Sequence, residues 1–142
     1  MKKTTLLVNM LCLTCAPLVL ADNTLSPSPS DAKVSIVQPA DQAVVPANFN
    51  VKFALSGMEI APAGTQKPNS GHYHLLLDVE TMPDLTKALP VNEHILHFGK
   101  GQTETTLTLT PGKHTLQLVL GDYAHVPHDK PVISEKITVI VK

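Results

Sequence analysis

The sequence predicts an all-β protein, an Ig-like or fibronectin-like antiparallel β-sandwich of about seven strands. Three observations predict this fold: apolar and polar residues alternate in short stretches, clusters of Gly, Pro, Asn and Asp separate these stretches, and apolar residues at helical spacing are nearly absent. The Cys-Trp-Cys core pattern of antibody domains is missing. The predicted relationship is therefore to the sandwich architecture and not to antibody domains.

The N-terminus has the pattern of a secretory signal peptide over residues 1–21. Lys2 and Lys3 precede an apolar run, and Ala21 provides a small residue at the expected cleavage site. The run is shorter than the roughly 20 apolar residues that a membrane-spanning helix needs. We therefore expect a cleaved leader, a mature protein that does not span a membrane, and export to the periplasm or the medium.

Composition excludes several kinds of chemistry from the expected mature protein. Both cysteines, Cys12 and Cys15, lie in the predicted leader, so no thiolate remains for blue-copper, structural-zinc or cysteine-nucleophile sites. All 11 basic residues are lysines, against 12 Asp and Glu, and this near-neutral balance argues against a nucleic-acid partner. Hydrolase motifs and phosphate-binding loops are absent, so we expect no organic cofactor and no enzyme activity, with a metal-dependent redox activity as the alternative.

The rest of the chain divides into a short segment and one domain. Residues 22–31 are rich in Pro and Ser and predict a flexible tether, whereas 32–142 predicts a single domain. Pro83 and Pro90 bracket the one candidate helical turn, at 84–89. The predicted strands are 33–38, 48–56, 72–79, 103–110, 114–121 and 132–141, with a further short strand near 93–98.

Alternation also predicts which side of each strand faces the core. The opposite sides, with residues such as Lys52 and Gln117, have the half-solvated pattern of antiparallel sheets. The predicted core sides are Phe49, Val51, Phe53 and Leu55 on one strand, Tyr73, Leu75, Leu77 and Val79 on another, and Leu116, Leu118 and Leu120 on a third.

Histidines are concentrated in the second half of the chain, where all seven lie between residues 72 and 128. His72 and His74 are two residues apart in a predicted strand, so both side chains project to one face, opposite Tyr73 and Leu75. Two imidazoles on one face are a suitable beginning for a metal site.

Strand order predicts that further histidines approach this pair. If consecutive strands of the sandwich alternate in direction, strand 114–121 runs back toward the start of strand 72–79, and the loop after it lies beside His72 and His74. The turn after His97 falls at the same end. The predicted metal ligands are therefore His72, His74, His97, His125 and His128, with His94 as a weaker candidate.

Each of these residues also has a purely structural interpretation. His114 lies on the same side of its strand as Leu116, so we predict a structural role for it at the edge of the core. The other histidines are alternatively a polar network that connects loops. Three aspartates either orient imidazoles through hydrogen bonds or are simply solvated: Asp78, Asp122 and Asp129.

Four motifs follow one another along the second half of the chain: GHYHLLLD at 71–78, HFGKGQTE at 97–104, KHTLQLVLGD at 113–122 and HVPH at 125–128. In this order they resemble a bacterial family of small exported proteins, the domain-of-unknown-function family DUF4399. The resemblance covers roughly residues 71–141 and implies no activity. It implies that six of the histidines are family motif positions: His72, His74, His97, His114, His125 and His128.

Two functions of different classes are consistent with these residues. The first is an exported metal-binding module that holds a copper or zinc ion on neutral imidazoles and chaperones or buffers it. Copper as Cu(II) is the preferred ion, because nitrogen ligands bind it most tightly in the Irving–Williams order, although Zn(II) would use the same ligands. The second is an interaction module that presents the histidine-rich loops, without metal, to another envelope protein or to a glycan.

Overall fold

The computed structural model describes residues 24–142, and the predicted leader lies outside the described residues. This part of the chain contains nine strands and no helix, and so no helix with the length and apolar character needed to cross a membrane. The strands are β1 (Lys33–Gln38), β2 (Ala43–Val45), β3 (Asn48–Ser56), β4 (Glu59–Ile60), β5 (Ser70–Leu77), β6 (Ile95–His97), β7 (Glu104–Thr108), β8 (Gly112–Gly121) and β9 (Ile137–Val141).

The strands form two sheets that enclose one core. A three-stranded sheet has the order β1-β3-β7, and a six-stranded sheet has the order β2-β9-β8-β5-β4, with β6 also paired to β5. Antiparallel pairing dominates, and the short strands β2 and β4 pair in parallel with β9 and β5. Apolar side chains from both sheets form the main core cluster. The fold is therefore the predicted Ig-like or fibronectin-like β-sandwich.

The predicted core sides are confirmed for the three long strands, with one exception. Val79 lies beyond the end of β5, after Asp78 with its left-handed φ of 55°, and packs with Leu76 on the opposite side of the sheet. Val51, Leu75 and Leu118 are completely buried in the main core, and Leu55 and Leu77 pack against it while remaining partly exposed. Each of these residues alternates with side chains on the other face, as an extended strand requires.

The face of the six-stranded sheet that is turned away from the three-stranded sheet, here called the outer face, was expected to be half-solvated. That expectation is wrong for β5 and for the end of β8. A second apolar cluster covers this face and includes Leu76, Leu89, Ile95 and Val119. The long connections before β6 and after β8 fold over the sheet and meet where Leu89 N donates to His125 O at 3.0 Å. Side chains on the outer face of β5 are therefore buried.

Comparison of the predicted and observed strands shows where the alternation pattern did not predict a strand or its bounds. β1 and β3 have the predicted bounds, but β2 and β4 are too short to produce a recognisable alternation. The predicted strand 132–141 is regular only from Ile137, because Ser134 Oγ accepts the N–H of Leu118 at 2.8 Å in place of a backbone carbonyl. Residues 84–89 contain a turn and no helix.

The segment predicted to be a flexible tether contacts the domain at residues 26–29. Ser28 is buried, and Ser26 and Ser28 both form hydrogen bonds with the loop that follows β8. Low apolar content made this segment look unable to pack, but hydroxyl and backbone groups hold it in place instead. Only its hydrogen bonds to residues about 100 positions away, such as that between Ser28 and Asp129, reveal this contact.

Candidate metal centre

Four histidines meet on the outer face near the start of β5. His72 and His74 project from β5 itself, and His97 lies directly opposite His74 in the paired strand β6. His125 lies in the loop after β8, whose last residue, Gly121, pairs with His72. The two strand histidines share a face because residues two apart in a strand point the same way, and β6 and the loop supply the other two.

Each of these four residues offers one ring nitrogen to a compact group in which all the nitrogens lie within 4.8 Å of one another. The ring centroids of His97 and His125 are 4.6 Å apart, and those of His72 and His74 are 4.9 Å apart. His72 Nε2 and His125 Nδ1 are 3.2 Å apart, a hydrogen bond in which one ring donates and the other accepts. The group could hold one metal ion.

Half of the ring nitrogens of these four histidines and of the nearby His128 are buried without the hydrogen bonds that burial normally requires. Within residues 24–142, every buried side-chain N or O atom found without a partner is an imidazole nitrogen. Leaving such a group unsatisfied costs about 1–3 kcal/mol, and buried polar groups are otherwise nearly always paired. The atoms are His72 Nδ1, His74 Nδ1, His74 Nε2, His97 Nε2 and His128 Nδ1.

Burial also favours, in three of the four rings, the neutral form that a metal ion requires. The pKa of His72 is lowered to about 4 and that of His74 to about 3, mainly by desolvation and in part by the neighbouring imidazoles, because two positive rings repel. Burial lowers the pKa of His97 as well, with His125 contributing. A neutral imidazole has a free lone pair on one ring nitrogen, so these rings can bind a metal cation near neutral pH.

Two glycines provide the space that the rings occupy. A Cβ added at Gly99 would lie 2.6 Å from His97 Nε2, and one added at Gly121 would lie 2.7 Å from His74 Cε1. Neither glycine has a positive φ, so the requirement is for space and not for an unusual backbone. The sequence places Gly99 in the turn after His97, and its position two residues after a predicted ligand is the signal for this second role.

The loop that carries His125, here called the His125 loop (residues 122–130), is organised by Asp122. Its Oδ1 accepts the N–H groups of Ala124 at 2.9 Å and Val126 at 3.0 Å, on either side of His125. His125 adopts φ = 68°, a left-handed conformation that is uncommon for residues other than glycine. Asp122 was expected either to orient an imidazole or to be solvated; it is buried and shapes the loop backbone instead. Its negative charge raises the pKa of His72 against the larger effect of burial.

His128 does not belong to the four-histidine group, although we predicted it as a ligand. Its ring is buried and its Nε2 lies 3.2 Å from the carbonyl oxygen of Ser70. Since a carbonyl can only accept, Nε2 donates a proton to it and is not available to bind an ion. The three-residue spacing between His125 and His128 therefore does not bring both rings to one ion.

His94 lies at the opposite end of β5, so the expectation that it approaches the site is wrong. Its Nδ1 is 3.0 Å from the carbonyl oxygen of Leu77, the last residue of β5. β6 is antiparallel to β5, so the residue before it is carried away from His74. In an extended chain, three residues span about 10 Å, which separates His94 from His97.

His114 has the structural role that was predicted. Its Nδ1 lies 2.7 Å from Asp78 Oδ2, and its Nε2 lies 2.9 Å from the carbonyl oxygen of Thr110. Both partners are acceptors, so the ring satisfies both only when it carries two protons. The hydrogen bond to Asp78 accordingly raises the pKa of His114 above 6.5.

Replacing His114 is expected to destabilise the domain in a pH-dependent manner. A base with a raised folded-state pKa stabilises the fold fully below its unfolded pKa near 6.5, and this contribution disappears as the pH rises through the folded value. We expect His114→Ala to cost about 2 kcal/mol at pH 6 and clearly less at pH 9. Urea unfolding at both pH values checks this, with the exposed His94→Ala as the control; equal losses at both pH values would contradict it.

Comparisons with known proteins give a family and no activity. No curated protein matches the sequence. A solved structure of the fibronectin(III)-like modules of Clostridium thermocellum CbhA is similar over 76% of this chain and 92% of that chain, at 13% identity and a TM-score of 0.37. The family model for Domain of unknown function (DUF4399) matches residues 51–142, which include all seven histidines. The chain belongs to this family.

Proposed function

We propose that the protein is an exported metal-binding module in which His72, His74, His97 and His125 hold one divalent transition-metal ion. A single observation carries the proposal: four imidazoles converge within 4.8 Å, and three of them contain buried nitrogens without a hydrogen-bond partner. A polar network built to connect loops would satisfy its own donors and acceptors. A metal ion would instead take one lone pair from each ring.

Ligand chemistry favours Cu(II), with Zn(II) as the second ion. The group consists only of imidazole nitrogens, with neither a thiolate nor a carboxylate among its members, and nitrogen sites bind Cu(II) most tightly of the common divalent ions. Two opposite nitrogens, each about 2 Å from an ion, are about 4 Å apart. The observed 4.8 Å limit therefore requires only a small inward movement of the rings.

Burial suggests how the ion would be retained and exchanged. His72 and His74 are completely buried, whereas His97 and His125 are partly exposed. An ion would therefore enter and leave past His97 and His125 while the β5 pair holds it. This arrangement suits a module that buffers or delivers metal in the periplasm more than an enzyme.

Metal titration of the protein, purified without a histidine tag, tests the proposal. We expect one equivalent of Cu(II) or Zn(II) to bind and to raise the melting temperature by about 10 °C at a hundredfold excess of free ion over Kd, because a ligand specific to the native state stabilises it by about 2.7 kcal/mol there. Elemental analysis of the purified protein would identify the ion.

Two variants test whether the metal binds at the four-histidine group. His74→Ala is expected to abolish the stoichiometric site, and His94→Ala, which removes an exposed histidine at the other end of β5, should leave it intact. If the parent protein binds neither ion below micromolar concentration, the metal-binding function is excluded. The histidine group would then be studied as a recognition surface for another envelope component.

A further inference from the structure

We propose that residues 26–28, here called the strap, position His125 in the four-histidine group and thereby set the metal affinity. This inference rests on the proposed function for its consequence, but the positioning itself is a property of the metal-free protein. It assigns a role to a segment that composition predicts to be a passive tether.

The strap contacts the His125 loop on both sides of His125. Ser26 Oγ donates to Asp122 Oδ2 at 2.6 Å, before His125 in the chain. After it, Ser28 N donates to Asp129 Oδ1 at 2.9 Å and Ser28 Oγ donates to the carbonyl oxygen of Lys130 at 2.7 Å. The backbone adds a bond from Asp129 N to Ser26 O at 3.0 Å. The strap therefore spans the loop and connects its two ends.

Asp122 links the strap to the backbone of His125. One of its carboxylate oxygens accepts the Ser26 hydroxyl, and the other accepts the N–H groups of Ala124 and Val126. The backbone of Asp122 also bonds both ways, accepting His125 N at 2.9 Å and donating to Val126 O at 2.8 Å. Because Asp122 is only 6% exposed, its carboxylate has little access to water as a substitute partner. Loss of the Ser26 hydroxyl leaves one oxygen of this carboxylate without its partner.

His125 is the ligand that needs such support. The other three histidines belong to strands of the six-stranded sheet, where paired backbones determine their positions. His125 instead occupies a loop and has a left-handed φ of 68°, a conformation that persists only where surrounding contacts enforce it. Fixing the loop before the ion arrives removes an ordering cost from metal binding.

Coupling between docking of the strap and binding of the metal is reciprocal. If the docked strap strengthens metal binding, metal binding must strengthen strap docking by the same factor. We therefore expect the amides of Ser28 and Asp129, which donate across the contact, to exchange about tenfold more slowly in the metal-loaded protein.

Serine variants test the proposal by their effect on metal affinity. Ser26→Ala combined with Ser28→Ala is expected to weaken Zn(II) or Cu(II) binding about tenfold. Two lost hydrogen bonds at about a factor of 5 each would give about 25-fold if all of their free energy were coupled to metal binding. Ser30→Ala is the matched control, because Ser30 is exposed and its side chain forms no hydrogen bond found within residues 24–142. Ser26→Thr should retain the parental affinity. It keeps the hydroxyl, and the cavity of about 230 Å³ beside Ser26 has room for the added methyl group.

An NMR measurement on the metal-free protein separates this proposal from the proposed function. The 3.2 Å contact between His72 Nε2 and His125 Nδ1 should produce ring-nitrogen shifts that change in Ser26→Ala and not in Ser30→Ala. If the parent binds no metal but these shifts change, the proposed function fails and the positioning role stands. Unchanged shifts together with unchanged affinity would overturn the strap proposal, even in a protein that binds metal tightly.

Discussion

The metal-free domain is expected to lose stability steeply as the pH falls from 6.5 toward 4. His72 and His74 have folded-state pKa values of about 4 and about 3, because burial opposes their charged forms. In the unfolded chain both would titrate near 6.5. Below that pH the unfolded state binds more protons than the folded state, so acid favours unfolding until the folded-state pKa values are reached.

The size of this effect follows from proton linkage. Each histidine contributes a slope of up to about 1.4 kcal/mol per pH unit. For a domain of this size, the two together should lower the melting temperature by roughly 10 °C between pH 7 and pH 5. Thermal unfolding across this range, with a chelator present, measures the slope directly.

Two variants test whether the acid sensitivity comes from the four-histidine group. His74→Leu replaces a buried ring by an apolar side chain beside the second core cluster, and should make the metal-free domain less sensitive to acid. His94→Ala removes an exposed histidine and should leave the slope unchanged. A melting temperature that stays constant from pH 7 to pH 5 would show that these imidazoles are not held neutral by burial.

Gly99→Ala is expected to weaken metal binding at least tenfold while the domain remains folded. The added methyl group would occupy the space of the His97 ring, at 2.6 Å from its Nε2, and would also approach Ala63 Cβ at 3.2 Å. His97 is partly exposed, so its ring can rotate away at a cost of about 1 kcal/mol in stability. The displaced Nε2 would then no longer face the other three rings.

A double-mutant cycle with His97→Ala tests whether the added methyl group acts by displacing the His97 ring. If the ring is what the methyl group displaces, Gly99→Ala should have no effect on residual metal binding once His97 is already alanine, and its effect on stability should be reduced to that of the 3.2 Å approach to Ala63 Cβ. Parental affinity in the single variant Gly99→Ala would instead show that His97 is not a ligand.

The fold was predictable because alternation reports burial locally. Residues such as Val51 and Leu118 were assigned to the core from their own strands, and both are completely buried. The covering of the outer face was not predictable in this way. Val119 lies opposite the core side and looked half-solvated, yet it is fully buried because distant connections pack over it.

The histidine pair of β5 was likewise predictable, because residues two apart in a strand share a face whatever surrounds them. The approach of His97 and His125 required one assumption, the alternating strand direction of a sandwich, and the register of β5 with β6 and β8 agrees with it. The exclusion of His94 and His128 depends on loop paths, which spacing along the chain does not determine.

The positions of the long strands, their core faces and the first two members of the histidine group therefore follow from the sequence, since each depends on the geometry of one extended segment. Only the tertiary structure decided that four rings and not six converge, that Gly99 and Gly121 make room for them, and that the strap holds the His125 loop. These features depend on contacts such as that between Ser26 and Asp122, which are 96 positions apart. No local pattern encodes such a contact, because its energy is realised only when the whole sandwich has formed.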